Sequence, residues 1–181
     1  MRYSTIVLLY LLLSSCQNDD VSDMSIVEDD PCFVQPIDST YCGCIEWTSL
    51  NTPNANIDAL ESSFLEDYLN PYRIENQLNE LIFDDHLSVA AQRHANDMAN
   101  RDYFSHDTEG CAFTPSNRAL LSDAVWDAEN VAVGQRSSEI VFEAWRNSEG
   151  YNRNMPAQHT VIGIGLAYND RGVPYWVNMY K

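Results

Sequence analysis

Apolar positions along this chain change their spacing between segments, and each change predicts an element. From Ile57 onward they recur at helical intervals. Leu60, Phe64, Leu65, Tyr68 and Leu69 share one side of a helix that Asp58 can cap. Pro71 stands where a new helix can begin, followed by Tyr72, Ile74 and Leu78. Asp84-Asp85 suits another helix N-terminus, and Leu87, Ala91, His94 and Met98 follow it at i, i+4, i+7 and i+11. His94, inside that stripe, reads as a core histidine, and His86, beside two aspartates, as a surface one. Ala128 to Gly134 reads as a short strand, after which Ser137-Ser138-Glu139 caps a helix carrying Ile140, Val141, Ala144 and Trp145. The C-terminus alternates like a hairpin: Val161 to Tyr168, a turn at Asn169-Asp170-Arg171-Gly172, then Val173 to Tyr180. Gly163 and Gly165 fall on one face of its first strand, where something must approach the backbone closely. Helices and strands in separate blocks predict an α+β layered domain, without internal repeats.

Before Ile57 the pattern is of another kind. Ile6 to Leu13 is a continuous apolar run behind a single positive charge, Arg2, and Ser14-Ser15-Cys16 follows. The run is too short to span a bilayer as a helix and reads as a secretory signal. Its ending, Leu13-Ser14-Ser15-Cys16, resembles the lipobox of bacterial lipoproteins. That resemblance implies cleavage before Cys16 and a lipid on the new terminus; a plain signal peptide cut elsewhere is the alternative. Gln17-Asn18-Asp19-Asp20 resembles the acidic export tag of Bacteroidetes surface lipoproteins. Together they imply an outer-membrane lipoprotein exposed at the cell surface. Residues 17–57 hold eight acids (Asp19, Asp20, Asp23, Glu28, Asp29, Asp30, Asp38, Glu46) and no Lys or Arg, so the segment repels itself and suits a tether. The expected division is a signal peptide over 1–15, a lipidated Cys16 with an acidic, disulfide-containing tether over 16–57, and a folded domain over 58–181.

Charge narrows the partners. The formal net charge is −17, and the only lysine is Lys181. Phosphate backbones demand clustered Lys and Arg, so nucleic acid and anionic lipid surfaces are poor partners. Apart from Cys16, four cysteines remain: Cys32, Cys42, Cys44 and Cys111. In an exported chain an even number reads as two disulfides. Of three connectivities, the one joining Cys42 to Cys44 strains the bridge geometry. The favoured pairings tie one of these two to Cys32 and the other to Cys111. A C-x-C metal site is the rival reading, with no histidine nearby to complete it.

The segments L-N-P-Y-R-I-E-N (69–76), A-A-Q-R-H-A-N-D-M-A (90–99), Y-F-S-H (103–106), N-R-A (117–119), A-E-N-V-A (128–132) and W-R-N-S-E-G-Y-N-R-N-M (145–155), with G-I-G (163–165), stand in a telling order. In that order and spacing the chain resembles the CAP superfamily of cysteine-rich secretory, antigen 5 and pathogenesis-related proteins, in its bacterial, SCP-like branch. The resemblance implies an α-β-α sandwich around a small antiparallel sheet. It also implies a cleft of two histidines and two glutamates, which binds a divalent metal in some members. Residue by residue, the first histidine matches His106 and the first glutamate Glu129. The second glutamate falls on Ser148, where serine is also the usual bacterial choice, and the second histidine falls on Tyr151.

Tyr151 changes the expected chemistry. A zinc site takes about three or four protein ligands at ~2 Å, and imidazole is a natural one. A phenol with a pKa near ~10 is a poor replacement at neutral pH. His106 and Glu129 are then the remaining metal candidates. No resident cofactor is expected, a weakly bound divalent ion being the alternative. His159 can be considered as a substitute ligand, but its place two residues before a strand favours the loop surface.

Ser148, His106 and Glu129 form a hydrolytic set on paper, without a nucleophile elbow or a glycine-rich oxyanion loop. Family resemblance implies instead a groove for lipids, peptides or partner proteins, with Tyr103, Phe104, Trp126, Tyr151 and Tyr175 as candidate lining. Core packing is the preferred reading for Phe104 and Trp145. The expected function is a non-catalytic binding module, with a metal-dependent or Ser-His-Glu hydrolase as the alternative and a purely structural envelope protein as the third.

Overall fold

A computed structural model describes residues 55–110 and 113–181. The lipidation expected at Cys16, the pairing of Cys32, Cys42, Cys44 and Cys111, and the acidic tether lie outside the described residues.

Helix α1 (Ala55–Ser63) runs through a π-helical turn, Phe64–Leu69, into α2 (Asn70–Glu75). Two expectations are corrected here. Asp58 lies inside the helix instead of capping it, and no break precedes Pro71. Ser63 and Asn70 both keep right-handed helical dihedrals, and the Asn70 N–H reaches back to the Leu65 carbonyl. A proline ring crowds the carbonyl four residues earlier, and a widened turn relieves that clash without ending the helix.

Strand β1 (Ile82–Phe83) leads into α3 (Asp85–Arg101), whose cap is Asp84; its carboxylate accepts from the Leu87 N–H at 2.7 Å. Helix α4 (Pro115–Leu120) opens on a capping box between Thr114 and Asn117. Strand β2 (Ala128–Val133), α5 (Ser138–Arg146, capped by Ser137) and the single turn α6 (Glu149–Asn152) follow. The hairpin β3 (Val161–Tyr168) and β4 (Pro174–Tyr180) closes the domain.

The four strands form one sheet in the order β1-β3-β4-β2. The β3–β4 and β4–β2 pairs are antiparallel, as expected, whereas the edge strand β1 runs parallel to β3. Two residues carry too little alternation for that strand to stand out in the sequence. Its neighbour Leu81 has both peptide groups bonded by the Asn70 side chain, which imitates an adjoining strand.

Alternation along β3 sorts the core into two layers. Ile162, Ile164 and Leu166 join Phe64, Leu69, Phe142, Trp145 and Trp176 on the face covered by α1, the π-turn and α5. There the Phe64 ring meets Trp145 edge-on at 5.3 Å, worth ~1 kcal/mol beyond burial alone. On the opposite face α3 contributes Leu87, Ala91, Ala95 and Met98 against Val131, Val177 and Met179. Gly163 and Gly165 permit that contact: a Cβ on them would stand 2.1 Å from the Leu87 carbonyl carbon and 2.4 Å from that of Ala91. The result is the α+β, α-β-α sandwich that the resemblance implied.

Trp145 is core, as expected, but Phe104 is 49% exposed and not a core residue. Tyr103 and Tyr175 are buried, with their hydroxyls on Asp97 and Asp102, and belong to the α3 layer instead of lining a groove. On α5 the buried residues are Ser138, Val141, Phe142 and Trp145, whereas Ile140 and Ala144 face outward.

Candidate functional site

A buried carboxylate organises the site. Glu129 is the second residue of β2, on the sheet face that α3 covers, and its side chain is 1% exposed. Arg118, on α4, is fully buried and donates from Nη2 to Glu129 Oε2 at 2.7 Å. The same nitrogen donates to the His106 carbonyl at 2.8 Å, so one guanidinium holds both the carboxylate and the loop. His106 Nδ1 lies 2.8 Å from Glu129 Oε1. A carboxylate only accepts, so Nδ1 carries the proton and Nε2 of the neutral ring is a bare acceptor. In front of Nε2 stands the Tyr151 hydroxyl at 3.5 Å, a loose contact, with the two rings tilted at 5.9 Å.

Electrostatics divide this row into an inner and an outer half. Burial pushes the Glu129 carboxyl upward, but the hydrogen bond from His106 and the Arg118 charge outweigh it and hold the group below the usual carboxylate range. Burial and the nearby Glu129 charge raise Tyr151, so its phenol stays protonated. The His106 side chain is 46% exposed and is the solvent-facing part of the row.

Behind the loop lies His94, fully buried on α3 as expected. Its Nε2 donates to the Ser105 carbonyl at 2.8 Å and thereby fixes the residue preceding His106. Burial, and then the Arg118 charge, lower His94 to about 4, so it is neutral at physiological pH. On the other flank the Asn154 amide donates to the Glu129 carbonyl at 3.2 Å and to Asn130 Oδ1 at 2.7 Å. Asn130 in turn donates to the Tyr151 carbonyl at 3.2 Å. These amides tie α6, and with it Tyr151, to the edge of β2.

The structure therefore brings His106, Glu129 and Tyr151 into one hydrogen-bonded row, which the Ser148 side chain does not join. That serine starts α6, where its N–H meets the Trp145 carbonyl and its own carbonyl accepts from Asn152. Among the described residues no side-chain hydrogen bond joins it to His106 or Glu129. His86 is exposed, as expected, with Nδ1 facing the Ser122 carbonyl. His159 is a correction: it is buried and stacked on Tyr180 at 5.2 Å, far from a loop-surface role. The carboxylate nearest its Nδ1 is that of Asp127, at 3.7 Å, not Glu129.

Arg118 is the functional residue that sequence reasoning missed. The available signal was chemical: N-R-A supplies one of few cations in an acidic chain, and a buried glutamate needs one.

Comparison with known proteins agrees with the fold. The sequence model of the cysteine-rich secretory protein family (CAP) matches residues 66–180, and the chain belongs to that family. It is 33% identical over 121 residues to the uncharacterized protein YkwD of Bacillus subtilis, across 65% of this chain and 46% of that one. To the uncharacterized membrane protein YlbC of the same organism it is 28% identical over 105 residues, 55% of this chain and 30% of that one. The chain thus spans less than half the length of the curated relatives it matches. Among solved structures, an outer surface protein of Borrelia burgdorferi superposes with a TM-score of 0.57 at 19% identity, covering 68% of this chain and 91% of that one. An extracellular SCP-domain protein of Bacillus anthracis gives 0.51 at 22% identity, covering 72% and 45%. At such identities the likeness is one of fold. No helix among the described residues is long and apolar enough to cross a membrane.

Proposed function

We propose that this chain is a lipid-anchored, extracytoplasmic CAP-domain protein whose His106 cleft binds a lipid, peptide or partner protein without turning it over. The anchor rests on Leu13-Ser14-Ser15-Cys16 and the acidic stretch behind it. The outer-surface and extracellular descriptions of the two structural neighbours support the location.

The observation that carries the binding reading is that both oxygens of Glu129 are committed, one to His106 and one to Arg118. A divalent cation at Glu129 would lie beside a buried guanidinium and would have to displace one of these bonds. It would find His106 Nε2 as its single free nitrogen, whereas zinc takes about three or four protein ligands. Among the described residues no three His, Cys, Asp or Glu side chains converge on a point that could hold an ion. The donor set does not fit the metal that the family resemblance brings to mind.

Zinc titration of the protein tests this directly. Wild type is expected to show no stoichiometric uptake, and Tyr151→His to gain affinity by adding an imidazole beside Nε2. Tight stoichiometric binding by wild type would overturn the reading.

A hydrolase reading has one observation in its favour. The Glu129–His106 pair is the orienting half of a catalytic base, with Nε2 left open to accept a proton. The hydroxyl facing Nε2, however, is a phenol held neutral at 3.5 Å, and Ser148 is not in the row. Broad esterase and peptidase panels are expected to show no turnover. A rate that disappears in His106→Ala would install the hydrolase instead.

A further inference from the structure

Resting on the binding reading above, we infer that the group received at the His106 cleft is a cationic amine, as carried by lysine side chains of a basic peptide. Three features select it. First, the Glu129 carboxylate fixes the imidazole proton on Nδ1, so the open nitrogen offers a lone pair and rewards a donor. Second, the Tyr151 ring lies tilted beside the imidazole, 5.9 Å from it centroid to centroid, and an aromatic ring next to the acceptor adds attraction for an alkylammonium. Third, the flanking charges exclude the opposite sign. Asp107 and Glu109 follow His106 along the loop, both exposed; Asp107 is in no ion pair among the described residues, whereas Glu109 lies near the Arg101 charge.

The cations nearby are already engaged. Arg118 neutralises Glu129, Arg101 pairs with Asp97 at 3.2 Å, and Arg153 pairs with Glu149 at 3.1 Å. A fatty-acid carboxylate entering the same opening would set its oxygens against a bare lone pair and a negative rim. Only a donor of positive charge satisfies both the acceptor and the field.

The test titrates the full chain with tetralysine amide, in parallel with tetraglutamate and decanoate. Calorimetry at about 0.15 M salt, where charges beyond ~8 Å are screened, reports the affinity. Tetralysine is expected to bind, and the two anions not to. His106→Ala should weaken binding by about tenfold or more. Because that variant orphans Glu129 and can misfold, Asp107→Asn provides a second reading at an exposed position, with an expected loss of about two- to fivefold. Glu66→Gln, on the far helical layer, removes the same charge and should change nothing.

No binding of tetralysine, an equal loss in Glu66→Gln, or preferential binding of decanoate would each overturn the amine. If zinc uptake and turnover remain absent in those cases, the binding reading itself survives. Cleavage of tetralysine, seen by mass spectrometry, would overturn the binding reading.

Discussion

Arg118 and Arg73 are both excluded from solvent, at 0% and 1% exposure, yet only one of them has a counter-ion. Arg118 meets a carboxylate. Arg73 meets only carbonyls: Nε donates to Asn79 at 2.9 Å, Nη1 to Met155 and Ala157 at 2.7 and 2.9 Å, and Nη2 to His159 at 3.0 Å. Burial pulls Arg73 below the usual arginine value, the cost of having dipoles and no counter-ion. What each arginine achieves follows from its partner. The Glu129 carboxylate has a second oxygen to spare, and that oxygen aims His106. Backbone carbonyls have nothing further to aim, so Arg73 only shapes the chain. A buried cation builds a site when its anion retains an unused lone pair.

The largest expected effect breaks the first arrangement. Arg118→Met leaves Glu129 buried with half its partners, and removing one member of a buried ion pair costs about 3–5 kcal/mol. Urea unfolding measures it. The double variant Arg118→Met, Glu129→Gln should recover most of the loss, because no charge is then stranded. Without that recovery the stabilisation comes from packing of the arginine, and the contrast with Arg73 dissolves.

Next in size is an effect of pH, since each buried arginine has a histidine near it. His159 is lowered by burial and then, against Asp127, by Arg73; His94 is lowered by burial and by Arg118, to about 4. Below about pH 6.5 the unfolded chain protonates His94 while the folded chain does not, so the unfolded state binds more protons and stability falls with falling pH. The drop attributable to His94 is about 3 kcal/mol between pH 6.5 and 4. Glu129, held below the carboxylate range, contributes stability above the unfolded carboxyl pKa and loses it only at still lower pH. Stability curves of wild type and His94→Gln should therefore diverge across pH 6.5 to 4. Parallel curves would mean that the imidazole titrates as if exposed.

How far these two centres were legible depended on whether a residue announces its partner. Gly163 and Gly165 did, because a missing Cβ on one strand face has meaning only if another backbone lies against it. His106 and Glu129 did, through the motif they occupy. Arg118 did not: a lone arginine on a six-residue helix looks like a surface residue, and the carboxylate that buries it lies eleven positions away. His159 and Phe104 exchanged their expected places for a related reason. Near a strand start or a helix end, exposure is decided by which element crosses overhead, here Arg73 and Tyr180 over the histidine. Local polarity carries no record of that crossing.

Arg73→Met comes third, at about 2–3 kcal/mol, since several buried carbonyls lose their donor but regain partial access to water. Lysine should restore little of it, because one ammonium cannot reproduce a planar fork reaching four carbonyls. Amide exchange should quicken over residues 155–159 and leave β2 protected. Exchange that also quickens at Glu129 would show that shape and site are one cooperative unit, not two.

The smallest effect lies at the outer edge of the Arg118 row. Tyr151 reaches His106 Nε2 only at 3.5 Å, beyond the usual range of a strong hydrogen bond, and the ring packs against both core layers independently of its hydroxyl. Tyr151→Phe keeps that packing, so its cost in urea unfolding should stay within about 0.5 kcal/mol. Near-neutrality would place the boundary between the sealed charge pair and the receptive opening at the imidazole itself, with Nδ1 belonging to the fold and Nε2 to the ligand. A loss of about 1.5 kcal/mol or more would instead put the phenol inside the network that Arg118 organises. The opening would then have no free acceptor, and a ligand would have to break a structural bond to enter.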